Sequence, residues 1–119
     1  MIHNFKDLKV WQKAMVVVKE VYKQTTNFPS HETYGIVSQI QRAAVSIPAN
    51  IAEGAGRNSN KEFLRFLDIA NGSAFELETL LLLSADLRFL PKEAHVRLSE
   101  DIVDIQKMIY GLKQKLNVN

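Results

Sequence analysis

Apolar residues return at steps of three and four in four separate stretches of this chain, the period of helices that each bury one side. Leu8, Trp11, Met15, Val18 and Tyr22 form the first stripe, and Ala14, Val17 and Val21 widen it. Ile36, Ile40, Ala43, Ile47 and Ile51 form the second. The third runs through Phe63, Leu67, Ala70, Ala74, Leu77, Leu81 and Ser84. The fourth, Leu98, Ile102, Ile105, Ile109, Leu112 and Leu116, is close to a coiled-coil seam. Between the stretches stand helix stop and start signals. Asn27, Phe28 and Pro29 end the first helix, because proline disfavours helical backbone in the residue before it. Ser30 is placed to cap the second, with Glu32 in its first turn. Ser59-Asn60-Lys61-Glu62 matches the capping box, and Pro91 suits the first turn of the fourth helix. Connections this short force consecutive helices to lie antiparallel. The pattern predicts an all-α, antiparallel up-down-up-down four-helix bundle, with residues 1–119 as one domain.

Some residues resist that simple picture. Pro48 falls inside the second helix, where proline removes a hydrogen bond and costs roughly 3 kcal/mol, so a kink or a break near Ala44–Ile47 is expected. Gly54 and Gly56 are expected to end that helix. Gly72, in the middle of the third, is expected at a close helix–helix contact. Phe66, Leu80, Leu83, Leu87 and Phe89 form an apolar edge beyond what a single seam needs, which points to self-association.

The second helix also carries a polar stripe. Gln39, Arg42, Ser46, Asn50, Glu53 and Arg57 lie one above another at helical spacing. An ordinary surface helix fills such a line with Lys and Glu, whereas this one sets Ser, Asn and two Arg among small and β-branched residues. Two explanations stay open. Arg42, Glu53 and Arg57 pair with the third helix through Glu76 or Asp68, as buried charges must be paired, or the stripe faces another subunit or a ligand.

Composition adds bounds. The chain is 46% hydrophobic and 24% charged, ordinary for a globular domain. It has no cysteine, which excludes disulfides and thiolate metal sites. No apolar run reaches membrane-spanning length and the first residues lack the order of a secretion signal, so no membrane role and a cytoplasmic location are expected. The net charge of +2 is unevenly spread. Lys6, Lys9, Lys13, Lys19 and Lys23 crowd the first helix against only Asp7 and Glu20, while Asn58–Leu90 carries a net of −2. If nucleic acid binds, phosphate contacts by those five lysines dominate, with weak sequence preference and strong salt dependence. Trp11, Tyr22, Phe63 and Phe66 occupy core-like positions, so no base-stacking platform is predicted.

Reactive constellations are missing at sequence level. His3, His31 and His95 have no second ligand at helical spacing, and Ser46, Ser73 and Ser84 have no histidine partner. Glu76 and Glu78 diverge around their helix. No metal, cofactor or small-molecule substrate is expected, and an enzyme is the weaker class.

Phe5-Lys6-Asp7-Leu8-Lys9-Val10-Trp11-Gln12-Lys13-Ala14, the run from Arg42 through Pro48-Ala49-Asn50 to Glu53-Gly54, Phe63-Leu64-Arg65-Phe66-Leu67, Gly72-Ser73-Ala74 and Glu76-Leu77-Glu78-Thr79 together resemble the bacterial four-helix-bundle family found as reading frames within intervening sequences of large-subunit ribosomal RNA genes. The likeness spans nearly the whole chain. The family is similar in fold to the accessory protein of diversity-generating retroelements, a homopentamer whose basic surface binds nucleic acid and a reverse transcriptase. The resemblance implies a homo-oligomer, a pentamer, with no attached enzymatic activity. It marks Arg42, Ser46, Asn50, Glu53, Arg57, Arg65, Ser73 and Glu76 as motif positions that form a polar network or subunit interface. The reading is a non-enzymatic, homo-oligomeric bundle that binds RNA or a ribonucleoprotein partner through basic surfaces. The alternative is a protein-interaction scaffold with no nucleic-acid role.

Overall fold

The computed structural model describes residues 4–117, which leaves His3 outside the described residues. Four helices build it: α1 (Lys9–Thr25), α2 (Ile36–Ala55), α3 (Asn60–Asp86) and α4 (Lys92–Leu116). One 3-10 turn, Phe5–Asp7, leads into α1, and another, Ser30–Glu32, stands before α2. No strand occurs among the described residues. Each helix packs on two neighbours in the cycle α1–α2–α3–α4, while α1 and α3, like α2 and α4, face each other diagonally across the core with no Cα atoms within 8 Å. The result is a four-helix bundle of 48 × 23 × 20 Å. α2 and α3 pair in reverse chain order: Ser46 meets Ser73 whereas Gly54, further along α2, meets Phe63 and Phe66. Between α3 and α4, Glu78 meets Ser99 and Asp68 meets Lys113.

Three of the four apolar stripes bury as their periods require. Ile40, Ala43, Ile47 and Ile51, the whole third stripe, and Leu98, Ile102, Ile105 and Ile109 make the core. The first stripe is rotated. Val10, Ala14, Val17 and Val21 face the centre, while Leu8, Trp11 and Val18 are only partly buried and Tyr22 is exposed. Both arcs of α1 are apolar, and the one with smaller residues lets the helix approach its neighbours more closely. Trp11 instead meets the Phe5 ring edge-on at 5.1 Å.

The helix signals hold unevenly. Ser59 caps α3, its hydroxyl accepting from the Glu62 amide at 3.2 Å. Ser30 caps nothing: it opens the 3-10 turn, and α2 starts after Gly35 with no side-chain cap. Pro48 does not break α2, which runs unbroken from Ile36 to Ala55. Its cost of roughly 3 kcal/mol is offset because both halves of the helix are anchored in the core, Ile40, Ala43, Ala44 and Ile47 before it and Ile51 after. Arg88 holds the left-handed position (φ 65°) beyond α3, where glycine is usual, and the Phe89 amide donates back to the Ser84 carbonyl at 2.8 Å.

The glycines exchange the roles their positions implied. Gly72 faces open space, with nothing within 4 Å of a Cβ placed on it. Gly54 does not end α2; it lies inside the helix, where an added Cβ would stand 2.7 Å from Phe66 Cβ and 2.9 Å from Phe63 Cδ1. Gly56 is the terminal residue. Among the described residues no helix is long and apolar enough to cross a membrane.

Candidate interaction surface

The polar stripe of α2 lies along its seam with α3. Small residues, Ala43, Ser46 and Gly54 on one side and Ala70 and Ser73 on the other, bring the two helices close. The Ser46 and Ser73 hydroxyls stand 2.8 Å apart and share a hydrogen bond across the seam. Asn50 Nδ2 donates to the Ser46 carbonyl at 2.8 Å and to its hydroxyl at 2.9 Å. This ladder satisfies the polar groups that the seam covers, and sliding either helix by a residue would leave them unpaired. Three of the motif residues are therefore accounted for by helix register.

The charged members do not form the inter-helix network expected of them. Arg57 pairs with Glu53 on its own helix at 2.7 Å. Asp68 pairs with Lys113 of α4. Arg42 and Glu76 have no ion-pair partner among the described residues and both are exposed. The seam is a polar hydroxyl contact because it is too narrow for long side chains, which are pushed to its rim. There Arg57 lies over the Phe66 ring at 4.8 Å and Arg65 lies near the same ring at 5.5 Å. Phe66 itself is buried. Sequence spacing could not couple Arg57 to Phe66, because the contact spans the turn between two helices.

The α3 surface facing away from the core is unusually apolar, and on two flanks. Toward α2 it exposes Ile69, Leu83 and Leu87; toward α4 it exposes Phe75 and Leu82, at 58% and 50%. The first flank contains two residues of the expected apolar edge, whereas Phe66 is buried and Leu80 and Phe89 are partly buried against the core. The second flank lies outside that edge, its two residues seven apart in sequence. Phe75 and Leu82 continue onto α4 as Val96, Val103 and Tyr110, all exposed. Gln106, on the same side of α4, leaves its Nε2 buried without a partner.

The lysines lie elsewhere. At roughly 100° per residue, Lys19 and Lys23 lie opposite the buried side of α1, while Lys9 and Lys13 lie round toward α4. Lys9, Lys19 and Lys23 are exposed, as is Lys6 in the preceding turn. Lys13 lies 3.4 Å from Asp101 and 3.8 Å from Asp104, so α4 already supplies it with counter-charge. No group of three His, Asp or Glu that could hold a metal forms among the described residues. One concave region, of about 340 Å³, lies between the α2–α3 turn and the end of α4.

An all-helical chain whose motif residues set helix register, and whose third helix is apolar on two sides, belongs to the class of small four-helix-bundle proteins. The chain belongs to the 23S rRNA-intervening sequence protein family, whose model matches residues 6–111. It is also similar to a crystallised protein of unknown function from the S23 ribosomal protein family of Bacteroides thetaiotaomicron VPI-5482. The two are 26% identical over 87% of this chain and 97% of that one, with a TM-score of 0.79. No curated protein matches the chain.

Proposed function

We propose that this protein is a non-enzymatic, cytoplasmic bundle that works as a ring of identical copies. The observation that carries the reading is the pair of exposed apolar flanks on α3, Ile69, Leu83 and Leu87 on one and Phe75 and Leu82 on the other. Two different sticky surfaces on one chain favour a head-to-tail contact, in which one flank of each copy meets the other flank of the next. The flanks diverge by roughly 110° around α3, which turns each copy by roughly 70° and closes a ring at about five. Ser46 of the stripe bonds to Ser73 of α3 and to Asn50, so these groups support assembly and register more than catalysis.

Light scattering tests this. The mass should be about five times the 13.5 kDa of one chain, and Phe75→Asp should reduce it while leaving the helical signal intact. A wild-type mass of 13.5 kDa at micromolar protein overturns the reading.

A second element concerns RNA. Because α1 stands diagonal to α3, a ring with α3 inward turns Lys9, Lys19 and Lys23 outward on every copy, with Lys6 beside them. Repetition round a ring offsets the modest charge of one chain, since linked sites add their binding energies. A structured RNA should shift in a gel at about 50 mM salt and weaken steeply as salt rises. Absence of a shift at micromolar protein leaves the scaffold function, in which the ring binds protein partners and ribonuclease does not release them.

A further inference from the structure

We propose that Arg42 of each copy forms an ion pair with Glu100 and Asp104 of the next copy, and that this contact fixes which faces of the chain join. The inference rests on the ring reading above and adds to it the residues that meet.

Rotation about an axis lying along the bundles carries every residue round at its own height, so residues that meet across the contact must share a level. The cross-helix contacts give the levels. Ser46 of α2 is opposite Ser73 of α3, so Arg42, one turn earlier, is level with Leu77. Glu78 is opposite Ser99 and Asp68 opposite Lys113, which brackets Leu77 between Glu100 and Asp104 of α4. An exposed cation without a partner on α2 therefore stands at the height of an acidic turn on α4. Within one chain the two cannot meet, because α2 and α4 are diagonal. When the α2–α3 face of one copy lies on the α3–α4 face of the next, α2 faces α4.

The rest of the level map agrees. Val45, exposed on α2, shares the height of exposed Val103. Ala49, one turn on, falls at the height of Tyr110, a small residue facing a large one. Arg42 meets an acidic turn and Val45 meets Val103 in one register. On the α1 side of α4, Lys13 lies 3.4 Å from Asp101 and 3.8 Å from Asp104, so Arg42 of the next copy would share Asp104 with it, while Glu100 has no ion-pair partner among the described residues. At such contacts, opposite charge at the rim selects the partner face, and like charge opposes it.

Charge exchange tests the pairing. Arg42→Glu, and separately Glu100→Arg with Asp104→Asn, should each return the light-scattering mass to 13.5 kDa with unchanged helical circular dichroism. The three substitutions combined should restore the wild-type mass. An assembled Arg42→Glu variant, or a combined variant that stays monomeric, overturns the pairing while the ring reading stands. A monomeric wild type overturns both.

Discussion

Gly54→Ala should lower the unfolding free energy by about 2–3 kcal/mol, a shift of roughly 10 °C in melting temperature for a domain of this size. The cause is a single methyl group. Built at Gly54, it would lie 2.7 Å from Phe66 Cβ and 2.9 Å from Phe63 Cδ1, and 3.3 Å from the Phe63 carbonyl oxygen. Neither Phe66 Cβ nor a backbone oxygen can swing aside, so α2 and α3 must separate. That separation strains the Ser73–Ser46–Asn50 ladder one to two turns away as well. Helix propensity acts in the opposite direction, since alanine is favoured over glycine by about 1 kcal/mol, and the steric term wins. Gly111→Ala is the control: with nothing within 4 Å, only propensity acts, and stability should rise by up to about 1 kcal/mol. Urea unfolding at one protein concentration measures both, because assembly makes apparent stability depend on concentration. Equal midpoints for Gly54→Ala and wild type would show that the helices are free to part here.

Phe66→Ala should cost more, about 3–4 kcal/mol. The ring is buried at the end of the α2–α3 seam, beneath Arg57 and beside Arg65. Two effects compete to explain its role. Cation–π attraction at an exposed rim contributes about 0.5–1 kcal/mol. Loss of a buried aromatic together with the cavity it leaves costs several times that. Burial should therefore dominate, and Phe66→Leu, which keeps most of the volume, should cost only about 1–1.5 kcal/mol. Arg57→Gln should cost less than about 1 kcal/mol, because its pair with Glu53 is half-exposed. A double-mutant cycle between Arg57→Gln and Phe66→Leu measures the coupling directly. A coupling above about 2 kcal/mol would reverse the order of the two effects.

The helix count and the core positions of α2, α3 and α4 were legible in the sequence, because a buried seam must repeat at the helical period whatever it packs against. The Ser59 cap was legible for a similar reason, being a local hydrogen bond. Arg42 through Arg57 could be recognised as a line on one helix face. The bonds within that line, Arg57 to Glu53 and Asn50 to Ser46, follow from a four-residue spacing, but the contacts with Ser73 and Phe66 do not, since those partners come from α3. The serines found each other, the arginines found an aromatic ring or solvent, and Glu76 found no cation. On α1 the choice between two adjacent apolar arcs went to the side with the smaller residues. The α3–α4 flank had a seven-residue repeat in Phe75 and Leu82, and in Val96, Val103 and Tyr110, but only folding brought the two runs side by side.

The sequence by itself determined that four amphipathic helices would form, roughly where they start and stop, and which residues of three of them face inward. These follow from periodicity and capping, which act within one helix. Tertiary structure decided the opposite roles of Gly54 and Gly72, the survival of α2 through Pro48, the pairing of Ser46 with Ser73, and the level that sets Arg42 beside an acidic turn. All of these depend on the distance and register between helices, which no spacing within a single helix contains.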